Sequence, residues 1–345
     1  MLQALLQEIA LRAGYLNNTT TPATLYFGGG TPTVYAPWEL GLIIKQVKET
    51  FHIADFAEVT VEANPDDINP QYLFGLEEAG VNRLSIGLQS FNDEHLHWMK
   101  RRHTAAQAIE SIDFAKQAGF ENISIDLIYG LPQLNIDEWK ATIEKALALD
   151  TPHISAYHLT IEPNTIFGKQ AQKGLLHPIA EEDSEQQFLL LHQLLTMEGY
   201  EHYEVSNFAR TGKQSLHNNL YWQQQPYIGI GPSAHSFNGN SRQWNVPNNK
   251  QYLSALQEKQ LLFEYETLTP VMQYNEYLLT GLRTAKGVSL PYIQHNFDKN
   301  ISDYFLEQVE QFLAYERIIK EDDVYRIPAE YFFLSDAVIE RLFYL

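Results

Sequence analysis

The sequence contains no cysteine in 345 residues. Within these residues it therefore excludes disulfides, thiolate nucleophiles and iron–sulfur clusters or zinc ions held by thiolates. Long apolar runs are also missing, since even the run at 188–195 is interrupted by His192 and Gln193 and falls short of the roughly 20 apolar residues that span a bilayer. The first residues show no basic region followed by an apolar core, so no secretory signal is visible. We expect a cytoplasmic protein without a transmembrane segment.

Positive charge is scarce as well. Lys and Arg number 24 against 43 Asp and Glu, which gives a formal net charge of −19. Such a chain repels phosphate backbones, and its basic residues form no tract, so nucleic acid is not expected as a partner. What the chain does have is length and 44% hydrophobic residues. These favour one large domain and a smaller one.

Short apolar runs alternate with amphipathic helical patterns over the first half of the sequence. A helix is predicted at the start, then a turn at 17–22, and strands at 25–27, 59–63, 83–88, 123–128 and 154–161 with helices between them. Parallel strands need crossover connections and bury both faces, so this order predicts a parallel sheet or barrel.

The second half is less regular. A helix is predicted at 181–198, an irregular region at 200–244, helices from 251, a strand pair at 318–327 with a turn at Asp322 and Asp323, and a closing helix from Ser335. The predicted domains are a (β/α) partial barrel at 1–178, a barrel-completing region at 179–250, and a mainly helical, winged-helix-like domain at 251–345.

Polar residues follow the predicted strands, and the carboxyl ends of parallel strands share one rim where sites are built. The glycine run at 28–30 lets backbone amides approach a ligand, although a tight strand-to-helix connection explains it equally well. Glu62 and Asp126 lie in apolar strands, where a carboxylate needs a cation or hydrogen-bond donors. A bound ammonium or ribose meets that need, and so do salt bridges to arginine. The residues considered are Gly29, Thr31, Glu62, Gln89, Asp126 and Thr160, with Arg83, Arg101 and Arg102 as the possible salt-bridge partners.

The segment H-N-N-L-Y-W at 217–222 combines an imidazole able to ligate haem iron with aromatic faces able to pack on a porphyrin. A hydrogen-bonded core histidine is the alternative interpretation of His217. A second glycine-containing loop at 229–235 ends in His235, which can contact a ligand or simply pack.

Four motifs stand in order along the chain: Y-F-G-G-G-T-P-T at 26–33, V-E-A-N-P at 61–65, N-R-L-S-I-G-L-Q-S-F-N at 82–92 and I-D-L-I-Y-G-L-P at 125–132. Taken together, they resemble the radical S-adenosylmethionine family that includes anaerobic coproporphyrinogen III oxidase. Within it, H-N-N-L-Y-W matches the H-N-x-x-Y-W motif of HemW-type haem chaperones. The resemblance implies an α/β fold with a partial parallel (β/α) barrel of the radical SAM type that lacks its first strand.

The resemblance also implies roles for individual residues. Gly29, Gly30 and Thr31 would contact the methionine end of S-adenosylmethionine, and Glu62 would contact its polar groups. Asp126 would contact the ribose, Thr160 and His235 would lie near the adenine, and Gln89 and Arg101 would make further contacts. Haem would be bound by His217, Asn218, Tyr221 and Trp222. The expected function is to bind haem and transfer it to an unidentified acceptor protein. Oxygen-independent oxidative decarboxylation of coproporphyrinogen III is the alternative, and a scaffold that binds neither ligand is a third possibility.

One departure from the family is severe. Its members begin with a strand and a C-x-x-x-C-x-x-C loop whose thiolates hold a 4Fe-4S cluster, whereas Met1 stands at the helix that follows this loop. We expect either a truncated form or a naturally cluster-free relative. No metal ligand is assigned in these residues, the cluster is expected only in a full-length form, and the chain as given is expected to be catalytically silent.

Overall fold

The computed structural model describes residues 1–16 and 21–345, so most of the turn predicted at 17–22 lies outside the described residues. The helices are α1 Leu2–Leu11, α2 Pro37–Phe51, α3 Pro70–Glu78, α4 Asp93–Trp98, α5 Ala105–Gln117, α6 Ile136–Ala148, α7 Ile166–Gln172, α8 Glu181–Met197, α9 Leu216–Trp222, α10 Asn249–Gln257, α11 Pro270–Gly281, α12 Leu290–Asn296, α13 Lys299–Ala314 and α14 Ser335–Leu342. The strands are β1 Thr24–Phe27, β2 Glu58–Ala63, β3 Arg83–Gln89, β4 Ile123–Tyr129, β5 His153–His158, β6 Glu201–Glu204, β7 Asn207–Ala209, β8 His235–Phe237, β9 Ser241–Asn245, β10 Phe263–Thr267, β11 Val288–Ser289, β12 Ile319–Glu321 and β13 Val324–Arg326.

The central sheet has seven strands in the order β1-β2-β3-β4-β5-β7-β6 and curls into a half-barrel. Strands β1 to β5 are parallel neighbours, which confirms the predicted β/α order. Strands β7 and β6 add an antiparallel pair beyond β5. The prediction that 200–244 is irregular was wrong at this point, because two short strands there hydrogen bond to the sheet.

The two faces of the parallel strands differ sharply. On β2 the side chains of Val59 and Val61 are buried on one face, while Thr60 and Glu62 point to the other, as the alternation of a strand requires. The same alternation continues through β3 to β5. The apolar face packs under the surrounding helices as one core, and the opposite, concave face is lined with oxygen atoms. Its polar residues are Glu58, Thr60, Glu62, Ser85, Ser124, Asp126 and Ser155.

Local signals in the sequence set the helix ends. The side chains of Asn69, Thr104 and Asn135 accept hydrogen bonds from backbone N–H groups in the first turns of α3, α5 and α6. Helices α3 and α5 are each followed by a glycine with positive φ, Gly80 at 91° and Gly119 at 88°. Each crossover helix therefore stops in time for the next strand to return to the sheet.

The remaining elements form two small sheets and a helical group. Strands β8, β9 and β10 make one antiparallel sheet, and β11, β13 and β12 make another beside α11 to α14. The strand pair predicted at 318–327 and the closing helix from Ser335 are confirmed. The domain limits stay a prediction, and β9 and β10 pair across the limit set at 250/251. No helix within 1–16 or 21–345 is long and apolar enough to cross a membrane.

Candidate functional site

The glycine run holds a carboxylate at the end of β2. The backbone N–H of Gly29 donates to Glu62 Oε2 at 3.2 Å, and the Tyr26 hydroxyl donates to Glu62 Oε1 at 2.8 Å. A Cβ atom added to Gly28 would stand 2.5 Å from Tyr26 Cε1 and 2.6 Å from Glu62 Oε1. A glycine is therefore needed at 28 for this approach, and another at 29, where φ is 76°.

Asp126 occupies the middle of the concave face. The Ser85 hydroxyl donates to Asp126 Oδ1 at 3.1 Å, and Ser155 is its register partner on β5. Burial raises the pKa of Asp126 to about 6, with the negative charge of Glu62 adding to the rise and the hydrogen bonds from the two serines opposing it. This carboxyl is therefore partly protonated near pH 6.

Neither Glu62 nor Asp126 forms a salt bridge within the described part of the chain. The Nε atom of Arg83 lies 3.8 Å from Glu58, while Arg102 pairs with Asp66 and Asp67 at 2.9 and 3.1 Å. The salt-bridge interpretation of the two strand carboxylates is therefore not what the structure shows. Their oxygen atoms remain available to a cation or a hydroxyl group.

The other residues assigned to S-adenosylmethionine have varied surroundings. Gln89 ends β3 with φ at 66°, and its amide folds over Gly87, where an added Cβ would stand 2.7 Å from Nε2. Arg101 is half-buried; burial lowers its pKa, and the charge of Asp126 opposes that shift. Gly30, Thr31 and Thr160 are exposed in loops.

The predicted strand at 154–161 ends earlier than expected. β5 stops at His158, and the next backbone N–H, that of Leu159, donates to Tyr129 O at 2.8 Å. Thr160 therefore lies in the loop beyond β5 and not within a strand.

The first two strands hold His217 from three sides. The carboxylate of Glu58 accepts from the backbone N–H of Leu216 and of His217, both at 3.0 Å. Thr24 Oγ1 lies 2.9 Å from His217 Nδ1, and the Tyr26 ring stacks on the imidazole at a centroid distance of 4.8 Å and an interplanar angle of 24°. Burial lowers the pKa of His217 and so favours the neutral, metal-ligating form. Nε2 has no hydrogen-bond partner among the residues that the structure describes.

A cavity that we call the β1 cleft runs along the free edge of β1, with a volume of about 870 Å³. This volume falls in the roughly 300–1,000 Å³ range of cofactor sites. Its outer wall is apolar, and its inner wall carries His217 on α9. The outer wall consists of Leu5, Ile9, Ile43, Val47 and Phe51, and the inner wall includes His217, Leu220, Tyr221, Tyr227, His235, Arg242 and Glu276. The cleft can thus take a large flat ligand beside an imidazole.

The residues of the H-N-x-x-Y-W motif do not form one surface. His217 and Tyr221 are four residues apart, share one side of α9 and line the β1 cleft. Trp222 lines a second cavity of about 300 Å³ next to Tyr277 and Tyr292. Asn218 lines neither cavity, and its backbone N–H caps the helix by donating to Ser215 Oγ at 3.2 Å.

His235 is another residue of the cleft lining. His235 begins β8, stacks on Trp244 at 6.1 Å and lines the β1 cleft together with Gly28 and Gly29.

Sequence reasoning missed Thr24, Tyr26 and Glu58, which hold His217 in place. The strand alternation does place the side chains of Thr24 and Tyr26 on the same face, but nothing local pairs them with a helix almost two hundred residues later.

Comparison with known proteins agrees with this architecture. Residues 5–146 match the Radical SAM superfamily. The haem chaperone HemW of Lactococcus lactis is 33% identical over 92% of this chain and 84% of its own length, and that of Bacillus subtilis is 36% identical over 82% and 75%. The solved structure of coproporphyrinogen III oxidase (HemN) from Escherichia coli, 24% identical, shares the fold with a TM-score of 0.79 over 99% of this chain and 82% of that one. The chain belongs to the HemW haem chaperone family of radical SAM proteins.

Proposed function

We propose that this protein binds haem in the β1 cleft and transfers it to an acceptor protein. The observation that carries the proposal is the position of His217 on the wall of an apolar cleft. Its Nδ1 is held by Thr24, and its Nε2 has no hydrogen bond to any residue that the structure describes. A neutral imidazole fixed in this way is a ligand for haem iron. Membership of a family of haem chaperones supports the same function.

The other walls of the cleft match the rest of a haem molecule. Leu220 and Phe51 offer apolar surface to a porphyrin face, and Tyr221 offers an aromatic one. Among the described residues that line the cleft, Arg242 is the one Lys or Arg, and it pairs with Glu266 at 2.6 Å and also with Glu276. A porphyrin carboxylate that approaches this arginine would compete with the glutamates that hold it, which suits a ligand that must later be released.

The concave face suits S-adenosylmethionine. We propose that Glu62 and Asp126 accept hydrogen bonds from its ammonium and ribose groups, since neither carboxylate is paired with arginine. In a form that also held a reduced cluster, S-adenosylmethionine held by these carboxylates would supply a radical. The residues proposed to surround it are Gly29, Gly30, Thr31, Gln89, Arg101, Thr160 and His235.

The 4Fe-4S cluster does not fit the residues present. The sequence has no cysteine, and the described residues contain no group of three His, Asp or Glu side chains placed to hold a metal ion. These residues therefore supply no site at which a radical step could begin. The acceptor protein and the cytoplasmic location stay predictions.

The test is a titration of the purified protein with ferric haem, followed by mixing with excess apomyoglobin. We expect saturable binding of one haem with a defined Soret band, and transfer of that haem to apomyoglobin. A linear, unsaturable absorbance change would contradict the proposal. An anaerobic assay of a form that carries the cluster cysteines separates the oxidase alternative, because only the oxidase would yield protoporphyrinogen.

A further inference from the structure

Tyr26 contacts both candidate sites through different parts of its side chain. Its hydroxyl donates to Glu62 Oε1 at 2.8 Å, on the concave face. Its ring stacks on His217 at 4.8 Å, on the wall of the β1 cleft. One side chain thus bridges the carboxylate proposed for S-adenosylmethionine and the imidazole proposed for haem.

Close packing and hydrogen bonds fix Tyr26 and Glu62 beside each other. Gly28 leaves no room for a Cβ between Tyr26 and Glu62, so the two side chains pack against the bare backbone of the loop. Gly29 donates to the second oxygen of the same carboxylate at 3.2 Å. Burial and the neighbouring Glu62 raise the pKa of Tyr26, so the phenol keeps its proton and remains a donor. A change at Glu62 therefore reaches Tyr26 directly.

We propose that Tyr26 is a positioning residue that couples the state of Glu62 to the imidazole of His217. A hydrogen bond to a charged carboxylate is shorter and stronger than one to a neutral amide. It polarises the phenol and fixes the ring plane against which the imidazole stacks. A cationic ligand that draws Glu62 away would loosen that ring. By linkage, haem on His217 would alter the affinity at Glu62 by the same factor.

The test is a double-mutant cycle in which the NMR signals of the His217 imidazole are first measured without any ligand. Histidine labelled with 15N is incorporated, and the imidazole signals of His217 are assigned by their loss in His217→Gln. We expect Glu62→Gln to shift these signals in the wild-type background and to leave them unchanged in the Tyr26→Phe background. The exposed Glu49→Gln removes the same charge and should shift nothing.

A second variant separates contact from charge. Glu62→Asp keeps the charge but shortens the side chain by one methylene, which breaks the contact with Tyr26. Coupling through Tyr26 predicts a shift of the His217 signals similar to that in Glu62→Gln. Unchanged His217 signals in Glu62→Asp, or equal shifts by Glu62→Gln in both backgrounds, would overturn the proposal.

Haem titration of the same variants provides the second readout. We expect Glu62→Gln to weaken haem binding roughly fivefold, with no further loss in the Tyr26→Phe background. The inference rests on the proposed function only in naming the two ligands. Absence of haem binding with the NMR coupling intact contradicts the proposed function alone. Normal haem binding without the NMR coupling contradicts this inference alone.

Discussion

The carboxylate of Glu58 accepts a hydrogen bond from the backbone N–H of His217 at 3.0 Å across 159 positions of sequence. Glu58 begins β2 and is buried, so this contact fixes the first turn of α9 to the sheet. A carboxylate at a helix N-terminus satisfies N–H groups that would otherwise lack partners. The position of the imidazole is thus set by the barrel and not by α9 alone.

Removing this carboxylate should be costly. Glu58→Ala leaves the first N–H groups of α9 unpaired and strips buried Arg83 of the acid 3.8 Å from its Nε. We expect the free energy of unfolding, measured in urea, to fall by about 3 to 5 kcal/mol. Glu49→Ala, which loses only an exposed pair with Lys45, should change it by about 0.5 kcal/mol or less. Equal effects of the two variants would contradict the role of Glu58.

The glycine loop gives a second prediction about stability. In Gly28→Ala the new methyl group would collide with Tyr26 and Glu62, and we expect a loss of about 1 to 3 kcal/mol on urea unfolding. Gly14→Ala is the matched control, because no atom of the described residues lies within 4 Å of its added Cβ. That control should be neutral or slightly stabilising. If Gly28→Ala were equally harmless, the close packing of Tyr26 on Glu62 would be wrong.

Glu204 on β6 should make stability fall as pH rises. Burial raises its pKa from 4.5 to about 7, while hydrogen bonds from Ser206 and Asn207 oppose the rise. The folded protein therefore binds this proton more tightly than the unfolded chain between pH 4.5 and 7, and ionisation costs stability in that window. Replacing the acid by a neutral isostere removes the cost.

Unfolding of wild type and Glu204→Gln in urea at pH 4.5 and pH 8 measures this effect. The free energy of unfolding of Glu204→Gln, relative to that of wild type, should increase by about 2 to 3 kcal/mol from pH 4.5 to pH 8. Glu49→Gln, altered at an exposed acid, serves as the comparison variant. A constant difference for Glu204→Gln would mean that the folded protein does not hold the proton.

His202, two residues earlier on β6, should act with the opposite sign. Burial, helped by nearby His192, lowers its pKa from 6.5 to about 3. The unfolded chain therefore binds this proton more tightly between pH 3 and 6.5, and stability falls as the pH drops through that range. As the pH falls from 7 to 4.5, the free energy of unfolding of wild type should decrease by about 2 to 3 kcal/mol relative to that of His202→Gln. His97→Gln, altered at an exposed histidine, is the comparison variant, and a flat result for His202→Gln would refute the neutral buried imidazole.

Much of the barrel could be predicted because its signals are local. Val59 and Val61 alternate with Thr60 and Glu62, and this pattern alone predicts β2, its buried face and its polar face. Loop glycines and helix caps mark where each β/α unit turns. The order of the β/α units also predicts that Glu62 and Asp126 share one rim of the sheet.

The rest depends on contacts between distant parts of the chain. β6 and β7 have four and three residues, too few for a readable period, and they become strands by pairing with each other and with β5. The contacts that Thr24, Tyr26 and Glu58 make with α9 have no sequence signature. Helical geometry also separates Tyr221 from Trp222, so a motif that is continuous in sequence lines two cavities.

The most direct test of haem binding in the β1 cleft is a haem titration of His217→Ala beside wild type, in which the Soret band and the dissociation constant are measured. Iron ligation by this imidazole predicts a shifted Soret band and at least a tenfold loss of affinity, about 1.4 kcal/mol, with partial recovery of the band on adding free imidazole. The Tyr265→Phe variant, altered at an exposed side chain outside the cleft lining, should match wild type. An unchanged Soret band and an unchanged dissociation constant in His217→Ala would contradict the assignment of haem to the β1 cleft.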